Sequence, residues 1–472
     1  MTAARLDFPA SRTFVLRSRR VLTDDGIVAA AVVVKDGVIV EVAPPDFVGG
    51  GYVRVEAGDL LVTPGIVDSH VHINEPGRTE WEGFHSATQA AAAGGITTVV
   101  DMPLNCIPAT TSRDNAEEKQ KHLRDQLFVD VAFWGGVIPG NVAELPGLAR
   151  FGVPGCKCFT CPSGVDEFPH VTALDLEIAM PVLRDTGTRL LVHAEAPGPL
   201  DDAAAVLKRT GADPRAYSTY LRSRPKASED EAIAMIIALS EKHRCPAHIV
   251  HLSSSSALPM IKAAQARGVE ISAETCLHYL TFTAEEIGDG NTPYKCAPPI
   301  REASNREALW AGLVDGTISM VVSDHSPCTP QLKKLDVGFG PPADEGSFMG
   351  AWGGIAGLQL GLSALWTQSK ARGVDVATMF RWNSGNTAML AGVAHRKGKL
   401  AAGYDADIVV WDDSAQFTVK GDALHHKHKV TPWSGRTLDG VVEATIVGGH
   451  VAFHRAHGLN TRPGGRFVAA PR

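Results

Sequence analysis

Apolar and polar positions change rhythm twice along the chain. From about residue 12 to 62, short apolar runs alternate with turn signals: FVLRS, AAAVVVKDG and VIVEVA read as strands, and Asp36-Gly37 between apolar runs reads as a hairpin turn. The same style returns from about 396 to 455, where AAGYDADIVVWD and VVEATIVGGHVAF read as strand pairs punctuated by glycine. Neither piece is long enough for a convincing sheet of its own. The economical reading is one small β-sandwich domain assembled from both chain termini, 1–62 and 396–472.

Over 63–395 the pattern alternates between strand and helix. Eight apolar strand candidates follow one another: PGIVDSHVH, GITTVVDM, LFVDVAFWGGV, VPGCKCF, TRLLVHAE, AHIVHLSS, VEISAET and ISMVVSDHS. Helical spacing marks WEGFHSATQAAAAGG, DNAEEKQKHLRDQ, LDLEIAMPVLRDTG, SEDEAIAMIIALSEKHR and SSALPMIKAAQARG between them. Ser228, with Asp230 and Glu231, reads as a helix start and Gly268 as a helix stop. Eight strands alternating with helices predict an α/β fold, a (β/α)8 barrel of the TIM type. A doubly wound open sheet is the alternative, but no glycine-rich phosphate loop follows the first strand, which weakens a nucleotide-binding reading.

Composition narrows the partners. The 472 residues are 44% hydrophobic and 21% charged, ample for a large core. A formal net charge of -7 gives no electrostatic support for nucleic-acid or anionic-membrane binding. The stretch MTAARLDFPASRTFVLRSRR has no apolar run long enough for a signal peptide, and nothing approaches the roughly 18 consecutive apolar residues of a membrane helix. The eight cysteines form no evenly spaced disulfide framework and read as reduced thiols. The expectation is a cytoplasmic protein with a small-molecule partner.

Polar residues gather at the C-terminal ends of the predicted strands, where a barrel enzyme builds its site. The first ends in His70-Val71-His72, whose i and i+2 side chains point the same way and can grip one metal. Lys157 stands in GCKCF, His193 in LLVHAE, His251 in HIVHLSS and Asp324 in VVSDHS. One charged residue at a strand end is usually solvated or paired; six from five strands have no comparable bland explanation. Imidazole and carboxylate suit zinc, and also iron, cobalt or manganese.

Lys157 is the odd member, because an ammonium repels metal ions. A buried lysine can lose its proton, and the neutral amine reacts with carbon dioxide to a carbamate whose two oxygens could bridge two metals. Cys156 and Cys158 should point away from Lys157, toward the helix layer, which argues against a thiolate site formed with Cys161. His85, His248, His425, His426 and His428 read as structural or surface residues.

Asp68-Ser69-His70-Val71-His72 with Lys157, His193, His251 and Asp324, in that order, resembles the amidohydrolase superfamily in its cyclic-amide branch, which holds dihydropyrimidinases, hydantoinases, dihydroorotases and allantoinases. Within that branch the longer stretches HINEPGRTEWEGFHSATQAAAAGGITTVVDMPLN, KCFTCPSGVDEFPHV, AETCLHYLTF, KCAPPIR, VVSDHSPC and HHKHKVTPWSG resemble the allantoinases. Two absences agree. A dihydroorotase-like site would carry Arg where this chain has Asn74, and a hydantoinase-like or dihydropyrimidinase-like site would carry Tyr where it has Pro162. Leu277 in place of the usual Pro and Trp433 are minor departures.

The resemblance implies two divalent metal ions, zinc foremost. His70 and His72 with Asp324 would hold the more buried ion, His193 and His251 the second, and carboxylated Lys157 would bridge them. Activated water would attack the ring carbonyl, and Asp324 would carry its proton to the departing nitrogen, opening the hydantoin ring of allantoin to allantoate in purine (ureide) catabolism. A homotetramer is implied as well. Ser326, Asn74, Ser163 and the Asn291 region are candidate substrate contacts, with loop capping the plainer reading of each. DVGFGPPADEGSFMGAWGG reads as a lid loop or a static connection. Two other readings stay open: a hydantoinase- or dihydropyrimidinase-type cyclic amidase, and a non-catalytic scaffold homologue, which residues of the right type at all six positions disfavour.

Overall fold

Asp36 and Gly37, at φ 53 and 86, turn the chain between strands Gly26–Lys35 and Val38–Ala43, so the hairpin expected from this pair forms. The structure, a computed structural model, describes residues 6–336 and 344–471. Strand Leu61–Pro64 ties the two ends of the chain together. It pairs parallel with Phe14–Thr23 and antiparallel with Ile408–Thr418, and both terminal regions thereby share one nine-stranded sheet. Alternate residues fill its faces: Phe14, Leu16, Val32, Val34, Ile408 and Val410 in one cluster, Val15, Ala31 and Val33 in another.

All eight apolar segments of the middle region are parallel strands. Ile66–Val71, Ile96–Asp101 and Asp130–Phe133 form a three-stranded sheet. Gly135–Gly136, Gly155–Phe159, Arg189–His193, Ala247–Ile249, Ile271–Cys276 and Met320–Val322 form a six-stranded one. The third segment is divided at Trp134 and contributes to both sheets. The five helical stretches appear as Phe84–Ala93, Arg113–Lys121, Ala173–Asp185, Lys226–His243 and Leu258–Ala266. Their spacing explains their seating: Leu176, Ala179, Met180 and Leu183 form one buried stripe, in the same apolar cluster as Cys156 and Cys158.

One boundary differs from expectation. Ser228 lies inside its helix, which starts after Pro225; its hydroxyl donates to the Ala196 carbonyl at 2.9 Å and anchors the helix to the segment after the fifth parallel segment. Gly268 does follow a helix end, at φ 83, a conformation that favours glycine. Among the described residues no helix is long and apolar enough to cross a membrane.

A buried charge cluster joins the parallel strands to the C-terminal sheet region. The Lys397 ammonium meets Asp130 at 2.5 Å, Asp407 at 2.6 Å and Asp405 at 3.0 Å. Removing one member of a buried ion cluster leaves the others uncompensated, at about 3–5 kcal/mol. Lys397→Met is therefore expected to lower stability by about that much, read as a fall in Tm by calorimetry; an unchanged Tm would show that the cluster contributes nothing to joining the two regions.

Candidate metal centre

The predicted donors converge at the C-terminal ends of the parallel strands. His70 Nε2 lies 3.2 Å from Lys157 Nζ and 3.3 Å from Asp324 Oδ1, and His72 Nε2 lies 3.5 Å from the same carboxylate oxygen. His193 Nδ1 faces His251 Nε2 at 3.0 Å. The His70 and His251 rings, centroids 5.4 Å apart, join the two groups. All six residues are buried, His70 completely. Single donor atoms of His70, His72 and Asp324 lie within 4.8 Å of one another, close enough for one ion.

Backbone at these positions is constrained. His251 and Asp324 have φ of 39 and 42, a conformation costing a non-glycine residue about 1–3 kcal/mol unless its surroundings hold it. Buried carboxylates supply that hold. Glu229 accepts from the Ser253 and Ser254 amides at 3.0 and 2.9 Å, just beyond His251, and is itself paired with Arg301 of the KCAPPIR stretch at 2.7 Å. Asp68 accepts from the His70 amide at 3.2 Å and the Ser323 amide at 3.3 Å, stitching the first strand to the last. Asp101 accepts from the Ile73 amide at 2.7 Å, behind His72. His325, next to Asp324, pairs with Glu82 at 3.2 Å and packs on His426 of HHKHKVTPWSG, ring centroids 5.6 Å apart. His426 is thus interior.

Burial sets the protonation states. It lowers the pKa of His70, His72, His193 and His251, leaving neutral imidazoles with free lone pairs. Burial, opposed by the lysine, lifts Asp324 to about 7, and burial, opposed by the aspartate, brings Lys157 down to about 8. Lone pairs facing one another at 3.0–3.5 Å form a donor set that divalent cations satisfy.

A cavity of about 290 Å³ opens above this cluster. His72, Lys157, His193, His251 and Asp324 line it, with Asn105, Ser163, Arg224, Lys295, Ser326 and Trp352. Ser326 and Ser163 are therefore in place to meet a ligand, although each hydroxyl also donates to a backbone carbonyl: Ser326 to Asp324 at 2.9 Å, Ser163 to Phe168 at 2.6 Å. Asn74 and Asn291 do not line it. Asn74 is buried beside the cavity, at φ 67, accepting from Asn105 at 3.2 Å and donating to the Pro327 carbonyl at 3.4 Å, so its side chain ties neighbouring loops together. Asn291 is exposed at the start of a short 3-10 turn. Of the expected lid, 337–343 lie outside the described residues, while Met349 and Ala351–Gly354 form cavity wall.

Several polar residues at the site lacked a sequence signal. Glu274 lies within a strand that was legible, but nothing in its apolar pattern marks it as the partner of His70 Nδ1 at 2.5 Å and His248 Nε2 at 3.1 Å. Glu195, two residues past His193, could have been found from the strand period. Arg224 and Lys295 arrive from irregular segments. Lys295 is buried; it donates to the Met349 and Ala351 carbonyls and stands 4.9 Å from the Tyr220 ring centre.

A fold of parallel strands and helices carrying this donor set at its strand ends belongs to a recognisable class: the chain is a member of the amidohydrolase family, matching it over residues 61–452. Among curated relatives it is 48% identical to the allantoinase of Streptomyces avermitilis, covering 96% of this chain and 98% of that one, and 44% identical to the allantoinase of Saccharomyces cerevisiae, covering 86% of each. Among solved structures it resembles the L-hydantoinase (dihydropyrimidinase) of Arthrobacter aurescens, with TM-score 0.89, 28% identity, and coverage of 97% of this chain and 99% of that one.

Lys295 gives this site a pH signature. Burial first, then Lys333, Arg224 and Lys334, lower its pKa from the ordinary 10.5 to about 7. Between these values the unfolded chain binds a proton that the folded chain does not, so stability rises with pH, by at most about 1.4 kcal/mol per unit. Below the folded value the residue is charged in both states and its burial cost is complete. Lys295→Met is expected to raise Tm most at or below about pH 7, with the advantage shrinking toward about pH 10. A Tm difference that does not vary with pH would show that this ammonium titrates normally.

Proposed function

We propose that this chain is an allantoinase, a metal-dependent hydrolase that opens the hydantoin ring of allantoin to allantoate. The observation that carries this reading is the convergence of six donor residues beneath one cavity, five of them on its wall, in a chain 48% identical to an allantoinase over 96% of its length. Pro162 on the cavity wall and Asn74 beside it favour allantoin over dihydropyrimidines and dihydroorotate, whose enzymes are expected to carry Tyr and Arg there. The scaffold is read as a closed (β/α)8 barrel spanning 63–395, with a β-sandwich from 1–62 and 396–472. Closure is supported by the Val71–His325 parallel bridge and by the His72 amide donating to the His325 carbonyl at 2.7 Å.

His70, His72 and Asp324 would hold one divalent ion and His193 and His251 the other, zinc being the first choice for such donors. What bound ions supply is Lewis-acid polarisation of the ring carbonyl and a water acidic enough to ionise near neutral pH. Lys157, with its pKa brought to about 8, has a neutral fraction that adds to carbon dioxide with loss of a proton. The resulting carbamate replaces a cation by an anion between the two donor groups. Asp324 would take a proton from the attacking water and return it to the departing ring nitrogen. Ser326, beside it on the cavity wall, orients the ring.

Purified protein is expected to hydrolyse allantoin much faster than hydantoin or dihydrouracil, and chelation should abolish turnover. Faster turnover of another ring would keep the mechanism and replace the substrate; no turnover of any ring with metal and bicarbonate supplied would bring the scaffold reading forward. Lys157→Ala should lose activity, and short carboxylic acids should restore part of it. Asp324→Asn is expected to lower kcat by about 10²–10⁴-fold, and a smaller fall would remove Asp324 from proton transfer.

A further inference from the structure

The two imidazoles whose second nitrogen meets a carboxylate are held differently. His70 gives Nδ1 to Glu274, a carboxylate shared with His248. His193 is turned the other way: its Nε2 lies 2.6 Å from Glu195 Oε2, and its Nδ1 faces the site. Glu195 is fully buried and is gripped in fork fashion by Arg224, through Nε to Oε1 at 2.9 Å and Nη2 to Oε2. Thr160 locks the segment, its amide donating to the His193 carbonyl at 3.2 Å and its hydroxyl to the Glu195 carbonyl at 2.9 Å. Phe159 stacks on the imidazole, centroids 4.3 Å apart.

An ionised carboxylate only accepts hydrogen bonds, so Glu195 obliges a neutral His193 to carry its proton on Nε2 and to present the Nδ1 lone pair. Arg224 makes the buried carboxylate affordable, because an unpaired one would be too costly to leave ionised. Cys161 lies close to His193 and Glu195 as well, but the guanidinium fills that corner with positive charge and argues against a third ion there.

We propose that the Glu195–Arg224 pair is a positioning device for His193, fixing it as an Nδ1 donor and so governing how tightly the ion shared with His251 is held. This rests on the reading of His193 as a ligand. Glu195 and Arg224 themselves act through the imidazole and take no part in the chemical step. The ion held by His70, His72 and Asp324 is supported separately through Glu274, so its affinity is independent of this pair.

The test is metal content per chain and zinc affinity by competition with a chromophoric chelator, on full-length protein, with the visible spectrum of the cobalt-substituted form as a second readout. Wild type should bind two ions and His193→Ala one. Glu195→Gln keeps an acceptor but loses the charge, and it should weaken one ion by about 10–100-fold while leaving the other unchanged. The cobalt spectrum should alter accordingly. Two ions held at wild-type affinity by Glu195→Gln, with one lost in His193→Ala, would overturn the proposal. Two ions retained by His193→Ala would instead overturn the ligand reading beneath it. If Glu195→Gln loses both ions, Arg224→Lys decides, since it keeps the charge with a poorer fork: weakening of one ion supports the proposal, and loss of both or neither ends it.

Discussion

Collecting four imidazoles, an amine and a carboxylate in one buried space is the demand around which this molecule is arranged. The groups approach to 3.0–3.5 Å, and burial pushes each toward its uncharged form. Such a cluster is unfavourable by itself, because its polar groups lose water on burial and some, such as His251 Nδ1, find no hydrogen-bond partner in exchange. It persists only if the backbone fixes each donor more firmly than mutual repulsion displaces it. Parallel strands do this well: their C-terminal ends are close, and the hydrogen-bonded ladders behind them are buried on both sides.

The strands include His70, Lys157 and His193 but end before His72, His251 and Asp324, and buried carboxylates take over where they end. Asp68, Asp101 and Glu229 accept from backbone amides next to His70, His72 and His251. Glu195 and Glu274 meet imidazole nitrogens directly. The strained φ at His251 and Asp324 is tolerable in this setting, since neighbouring amides and carbonyls are held from several sides. Three of these carboxylates are answered by a cation in turn: Asp101 by Lys119, Glu229 by Arg301, Glu195 by Arg224. Glu82 extends the same logic to the C-terminal region, meeting His325 on one side and the Lys427 amide on the other, so HHKHKVTPWSG helps to hold the segment that carries Asp324.

Buried lysines hold part of the cavity wall in place. Lys295 and Lys333 bind only backbone carbonyls among the described residues, and they pin Ala351, Trp352 and Gly354 against the site. That part of the expected lid is therefore wall held from beneath.

Periodicity alone determined a great deal. Every parallel strand, the five helices and the hairpin at Asp36-Gly37 were legible, because side chains alternate at two residues in strands and recur at three to four in helices whatever surrounds them. The convergence of the six candidate ligands was legible for a related reason: strand ends in such a fold point at one place, so polar residues written there come together. The start of the helix containing Ser228 was misplaced because a proline and a distant carbonyl, rather than a local cap, decide it. Asn74, Ser163 and Ser326 carry the same residue-level signal, yet the chain packs Asn74 against Asn105 and leaves the two serines on the cavity. Glu195, Arg224, Glu274 and Lys295 became partners only in three dimensions, since electrostatic pairing depends on distance through space and desolvation, neither of which any spacing along the chain records.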